Sequence, residues 1–278
     1  MIASAVVASV MAATALYNPY MGPDQPPPHP RSASDAINWD SQPVAGPRGI
    51  DISRWDHLNG RSVDFDAAGT QGVSFVFIKA SDSIQRAQVE AKGWWDIDAP
   101  KARASKMLVG GYQYASPKGD PNIDAIHADA IGNALKMVSN LGPLPAGYLP
   151  PVLDLESAPM SLNKVQLTKW AAIWGETIQT LTGRTPIIYT YTNFMKTRLK
   201  PTLRFKKFPL WQAEYGRGMR RPQKVSRFQD PIIWQFTSNG IIPGAGADRT
   251  DLNVLRRQPR YLLRLAGLTL ADRAATRV

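Results

Sequence analysis

Asp154 and Glu156 stand two residues apart in Pro150-Pro151-Val152-Leu153-Asp154-Leu155-Glu156-Ser157, an apolar run that ends in acids and small polar residues. Side chains of a strand alternate between faces, so the two carboxyls share one face with their backbones about 6.6 Å apart. Carboxylates held side by side raise each other's pKa. Folds accept that cost chiefly where one acid keeps its proton while its neighbour is ionised, the arrangement of general acid catalysis. A strand end whose acids meet only solvent or arginine would carry the same octet, and the octet alone does not separate the two.

Other chemistries are narrowed by what the chain lacks. With no cysteine, thiolate catalysis, disulfides and zinc–sulfur sites are excluded. His29, His57 and His127 lie far apart in sequence, and His29 sits in a proline-rich tract. A histidine metal site or a Ser-His-Asp triad is therefore not expected. Acids recur instead at or just after the ends of apolar runs: Asp51, Asp82, Asp154 with Glu156, Glu214 and Asp251. Such a ring suits glycoside hydrolysis by carboxylates. It also suits an oxygen-ligand metal site of the kind that serves phosphoryl chemistry.

These acids need strands to carry them. Candidate strands are 49–53, 73–80, 107–115, 151–156, 186–191, 209–214, 232–237 and a short one near Leu252. Helical patterns fill several gaps. The clearest starts at Ser161 as N-cap, buries Leu162, Val165, Trp170, Trp174 and Ile178 on one broad face, and stops at Gly183. Strands alternating with helices predict a single α/β domain of the TIM-like β/α barrel type, with acids at the C-terminal strand ends. The connections between the last strands are too short or too basic for full crossover helices, so the barrel is expected to be irregular.

The net charge is +11. Between Lys196 and Arg227 eleven basic residues face only Glu214, and after Leu255 six arginines face only Asp272. A surface of this kind suits a polyanion such as nucleic acid, anionic lipid or an anionic cell wall; solubility alone is the plainer account. At the other end, residues 1–17 are apolar and small, and Ala13-Thr14-Ala15 fits a secretory cleavage pattern, although no Lys or Arg precedes it. Residues 18–48 read as a Pro-rich linker, 49–255 as the barrel and 256–278 as a basic tail. A chain starting near Val44 is expected to fold and stay active.

Eight blocks keep an order that carries a resemblance. They are Gly49-Ile50-Asp51-Ile52-Ser53, Phe77-Ile78-Lys79-Ala80-Ser81-Asp82, Gly110-Gly111-Tyr112-Gln113-Tyr114-Ala115 and Pro151-Val152-Leu153-Asp154-Leu155-Glu156, then Pro186-Ile187-Ile188-Tyr189-Thr190, Pro209-Leu210-Trp211-Gln212-Ala213, Trp234-Gln235-Phe236-Thr237-Ser238 and Asp251-Leu252-Asn253. Over about residues 49–255 the chain resembles the lysozymes of glycoside hydrolase family 25, the Chalaropsis-type muramidases. The resemblance implies a flattened β/α barrel that cleaves the β-1,4 bond between N-acetylmuramic acid and N-acetylglucosamine with net retention and without a cofactor. By motif, Glu156 would be the general acid. Asp154 would be nucleophile or would orient the substrate's N-acetyl group, with Asp51 and Asp251 as outer acids. Tyr112, Tyr189, Trp211 and Trp234 would line a sugar groove or pack the core, and Asp82 would face substrate. The implied partners are peptidoglycan glycan strands and, through the basic surface, anionic wall polymers. Nucleic acid is not expected, and a secreted or envelope-located monomer, from a bacterium or a phage, is. Two departures stand out. Family members often have His where Gln113 stands, and Thr-Glu-Gly where Ser81-Asp82-Ser83 stands. Chitinase-like barrels would carry a further acid at Val152. A non-catalytic wall-binding protein on this fold and a metal-dependent phosphodiesterase are the alternatives.

Overall fold

The structure, a computed structural model, describes Trp39 and residues 42–216, 218–245 and 249–278. The signal-like segment and most of the Pro-rich stretch lie outside the described residues. Eight strands close into one barrel in chain order: β1 (Arg48–Ile52), β2 (Val73–Asp82), β3 (Leu108–Tyr114), β4 (Val152–Asp154), β5 (Ile187–Tyr191), β6 (Leu210–Ala213), β7 (Ile233–Gly240) and β8 (Thr250–Leu255). The first seven pair in parallel, whereas β8 runs antiparallel to both β7 and β1.

Period-two alternation sorts the strand residues into two cores. Phe75, Phe77, Leu108, Val152, Ile187 and Trp211 fill the barrel, while Val76, Ile78, Val109, Leu153 and Ile188 face the outer helices. The bulky interior rings fit because their neighbours are small. A Cβ on Gly49 would lie 2.1 Å from the Phe75 ring, and one on Gly110 would lie 2.3 Å from Phe77.

Helices α1 (Phe65–Thr70), α2 (Gln85–Ala104), α3 (Ile123–Leu141) and α4 (Lys164–Thr182) occupy the successive crossovers from β1 to β5. The N-cap of α4 is Asn163 rather than Ser161. Its side chain accepts from Val165 N and Gln166 N, and the Gln166 side chain returns to Asn163 N, a reciprocal box that Ser161 is placed too early to make. Gly183 ends the helix in the left-handed conformation, as its position predicts. Trp170 and Trp174 are fully buried on its apolar face. Burial of such side chains contributes on the order of 2–3 kcal/mol each.

After β5 the outer cover thins. Helix α5 (Thr192–Arg198) has seven residues, and among the described residues no helix joins β6 to β7. The 214–232 connection lies instead on the outer wall, held by Gln212 Nε2 donating to Gln223 O at 2.9 Å and Gln229 Nε2 donating to Phe208 O at 2.6 Å. The expected irregular barrel is what forms.

Both flanks differ from expectation. Residues 256–278 are no free tail: α6 (Pro259–Leu265) buries Leu262 and Leu263 against the interior cluster that includes Leu108, Ile233 and Leu255. Its apolar residues, not its arginines, decide its place. The end of the Pro-rich stretch also belongs to the barrel. Trp39 packs 6.1 Å from Phe236 with the Arg48 guanidinium 5.1 Å from its ring, and Arg48 Nε donates to Gln42 Oε1. Among the described residues no helix is long and apolar enough to cross a membrane.

Candidate active site

Because β1, β3, β4 and β5 run in one direction, Asp51, Tyr112, Asp154 and Tyr189 reach the same rim from inward-facing positions. Tyr112 and Tyr114 flank β4 in register with Val152 and Asp154, and Asp154 is opposite Tyr189. Leu155 turns outward into the helix-facing core, which leaves Glu156 on the Asp154 side. Asp251 arrives by a different route from the one its sequence position suggested. It stands at the start of a reversed strand, not the end of a parallel one, and the reversal puts it opposite Asp51.

A hydrogen-bond network fixes Asp51. Its Oδ2 accepts from Asn253 Nδ2 at 2.6 Å and from Gln235 Nε2 at 2.9 Å. Gln235 Oε1 in turn accepts the hydroxyls of Tyr189 at 2.9 Å and Tyr215 at 2.6 Å, while Asn253 Oδ1 accepts Trp211 Nε1 at 2.8 Å. Each amide oxygen is occupied by a donor, so each amide nitrogen must face the carboxylate.

Asp51, Asp56, Asp154, Glu156 and Asp251 crowd one rim, and burial displaces all five upward. Burial raises Asp51 to about 6 against the lowering effect of Asn253, Gln235 and a bond to Asp251. Asp251 is pushed well above the carboxylate range by burial and then by Asp51, which works against ionising both members of this pair. Burial raises Glu156 to about 7, with Lys79 opposing the rise and Asp51 adding to it. Asp154 is driven well up by burial and next by Glu156. Burial therefore works against ionising both acids of the pair at once, and it opposes the ionised Asp154 that sequence reasoning expected beside a protonated Glu156. Asp56, buried behind Asp51 and accepting from Ser53 N at 2.8 Å, is raised to about 7, mainly by burial.

Lys79 escaped the sequence reading. It is the cation of this rim, with Nζ 2.6 Å from Asp82 Oδ2 and 4.9 Å from the Tyr114 ring centre. Its signal was present, since alternation from Phe75 and Phe77 turns Lys79 inward. Asp82 is buried, holding Lys79 and accepting from Ile84 N at 2.8 Å, so it faces its lysine rather than an open groove.

The aromatic candidates divide. Tyr112 and Tyr189 stand at the acid rim, and Trp211 lies beneath it, 2% exposed and stacked on Phe77. Trp234 is corrected: it points outward, is 1% exposed, packs on Phe236 and donates Nε1 to Glu214 O, which leaves no face for a sugar. Two exposed aromatics at the strand-end loops were missed, Trp55 at 55% in the 3-10 turn Arg54–Gly60 after β1 and Tyr215 at 50% after β6. The departure at Gln113 concerns packing, since its Oε1 accepts Trp174 Nε1 at 2.6 Å on the outer face of β3. Among the described residues, no three His, Asp or Glu side chains are grouped to hold a metal ion.

Inward carboxyls thus crowd the C-terminal rim of a closed barrel, the face where β/α barrels gather their chemistry. The family model described as glycosyl hydrolases family 25 matches residues 50–245. The chain belongs to glycoside hydrolase family 25. As a member it is a glycoside hydrolase of the lysozyme type, with peptidoglycan as its substrate class. It is similar to the Escherichia coli (strain K12) uncharacterised protein YegX, 27% identical over 210 residues covering 74% of this chain and 68% of that protein. It is also similar to the autolytic lysozyme of Clostridium acetobutylicum, 28% identical over 71% of this chain and 52% of that protein. The fold matches the crystal structure of the bacterial lysozyme from Streptomyces coelicolor, with TM-score 0.68, 24% identity, and coverage of 80% of this chain and 98% of that one. This family 25 barrel therefore has its acids where the fold places chemistry.

Proposed function

We propose that this family 25 enzyme cleaves the β-1,4 bond between N-acetylmuramic acid and N-acetylglucosamine in peptidoglycan glycan strands, with net retention. It acts as a monomer at a cell wall outside the cytoplasm, as a bacterial or phage product, and the barrel from residue 49 to 255 carries the chemistry. The observation behind this reading is the Asp154–Glu156 pair, two inward carboxyls raised by burial and sharing a rim with Lys79.

Asp154 Oδ1 is buried and has no hydrogen-bond partner among the described residues. A substrate amide N–H donating to it would favour its ionised form and leave the proton of the pair on Glu156. This favours Asp154 as the group that orients the N-acetyl over Asp154 as nucleophile. Glu156 then passes its proton to the glycosidic oxygen as the C–O bond breaks and its electron pair goes to that oxygen. The N-acetyl carbonyl oxygen bonds to the anomeric carbon from the opposite face. Water next attacks that carbon, loses a proton to Glu156 and displaces the carbonyl oxygen, so two inversions give retention. Asp51 and Asp251 hold one proton between them and keep negative charge near the forming cation.

Digestion of purified peptidoglycan followed by mass spectrometry tests the bond. New reducing ends on muramic acid are expected; reducing ends on N-acetylglucosamine would overturn the assignment. Full activity in excess chelator is expected as well, and a collapse there would favour the metal-dependent alternative.

A further inference from the structure

The cations of the β5–β7 side are one surface. The β5-to-β6 and β6-to-β7 connections are knitted together by Lys196 Nζ donating to Gln223 Oε1 at 2.6 Å, by the edge-to-face contact of Phe205 and Phe228 at 5.9 Å, and by Gln229 on Phe208 O. Arg256, following β8, joins them by donating to Pro231 O at 3.3 Å. The acids of this wall are already engaged. Glu176 is held by Arg204, Asp230 lies 4.0 Å from Lys224, and the Glu214 carboxylate accepts Gln223 N. Exposed Lys200, Lys206, Arg220, Arg221, Arg227 and Arg257 are left with no carboxylate within 4.0 Å among the described residues. Arg221 and Arg257 both act on Arg256, whose pKa is lowered, mainly by burial.

We propose that this wall, outside the barrel and apart from the acid rim, is a second binding surface that holds a phosphodiester-linked polyol polymer of the cell wall while the rim works on glycan. The proposal rests on the lysozyme reading for its location and extends it to a second wall component. Its chemistry favours this partner among polyanions. Single-stranded nucleic acid binds on platforms where aromatic rings stack bases between cations, and the six free cations have no exposed aromatic among them in sequence beyond Tyr215, whose hydroxyl is tied to the acid site. Duplex DNA is read by a helix or ribbon placed in a groove, and among the described residues the helices that carry the cations of this wall are short, α5 with seven residues and the 3-10 turn Phe205–Lys207 with three. Membrane surfaces take an apolar face beside the basic one, and Leu203 is the exposed large aliphatic residue of this wall. What remains is charge recognition of a flexible chain of phosphates, which arginine forks and lysine ammoniums both serve.

The test is equilibrium binding of the full chain to purified polyglycerol phosphate at about 0.15 M salt, where the Debye length is about 8 Å. Quadruple substitution of Lys200, Lys206, Arg220 and Arg221 to Gln should weaken binding at least tenfold. Cleavage of short, phosphate-free peptidoglycan glycan fragments should stay within twofold and melting should be unchanged. A matched set on the far side, Lys92, Lys101, Lys106 and Lys136 to Gln, removes the same charge and should weaken binding less than threefold. Equal losses for the two sets would show that net charge alone binds and would overturn the site. Tighter binding of duplex DNA or of phosphatidylglycerol vesicles than of the polymer would overturn the partner. Failure of the wild type to cut short fragments would strike the hydrolase reading instead, and the binding comparison would still stand.

Discussion

His57 Nε2 lies 2.8 Å from Asp98 Oδ2, and both side chains are 1% exposed. The ring stacks on Trp94 at 3.7 Å, and its Nδ1 faces Arg61 O at 3.2 Å. Both nitrogens therefore face acceptors, which calls for the doubly protonated ring. The pair ties the 3-10 turn Arg54–Gly60, which carries Trp55 and Asp56, to α2. Burial works against the charge, but the Asp98 hydrogen bond and charge outweigh it, and the His57 pKa rises above 6.5. A raised folded value means the stabilisation is complete below about 6.5, the unfolded value, and disappears as pH climbs through the folded one. Asp98→Ala should cost about 3 kcal/mol or less, because the imidazole can shed its proton. Denaturant melts across pH should show the difference from wild type largest on the acid side. A pH-independent difference would rule out the charged pair.

Asp51 raises Glu156 and Asp154 through its charge. Asp51→Asn removes that charge and lowers both values. The alkaline limb of the rate profile, where Glu156 loses its proton, should move to lower pH. Initial rates on soluble peptidoglycan fragments across pH 4–9 would measure it, and an upward shift would contradict the electrostatic account.

Lys79→Met should act in the opposite sense, since the ammonium holds both acids of the pair down. Its loss raises both and moves the profile toward higher pH. It also frees Asp82 of its partner, so a lower melting temperature is expected alongside the shift. A profile that does not move would confine Lys79 to holding Asp82.

The strands and the acid pair were legible because both rest on local pattern: β-branched runs for the one, period-two spacing for the other. Trp234 and Gln235 show where pattern misleads. In a barrel packed on its outside, the outward face is the apolar one and the rim interior is polar, so the tryptophan turned away from the chemistry and the glutamine turned toward it. Reversal of β8 was hidden as well, since a short connection does not state direction and only pairing with β1 brings Asp251 opposite Asp51. Tail residues 256–278 read as basic by count, yet Leu262 and Leu263 decide where they pack.

Trp39 changes the expectation for a shortened chain. A start near Val44 removes a ring that is 6% exposed and packs on Phe236 and Arg48. Large aromatic-to-alanine changes in cores cost about 3–5 kcal/mol. Trp39→Ala, or a chain beginning at 44, should melt several degrees lower, while a chain beginning before Trp39 should match wild type. Equal melting temperatures for the two shortened chains would show that Trp39 contributes little.

Glu156→Gln separates the roles of the acid pair. The amide keeps the shape of the side chain but has no proton to give, and general acid catalysis is worth about 10²–10⁴ in rate. Turnover of peptidoglycan should fall by about that factor while binding of glycan fragments holds. An aryl glycoside with a nitrophenyl leaving group needs little protonation, so its cleavage, where the wild type accepts it, should fall far less. Asp154→Asn should not show this relief, because orienting the N-acetyl and favouring charge at the anomeric carbon matter for both substrates. The two variants thus give different patterns over two substrates. Equal relief on the activated substrate in both, with the fold intact by circular dichroism, would mean that the acid role cannot be assigned to Glu156.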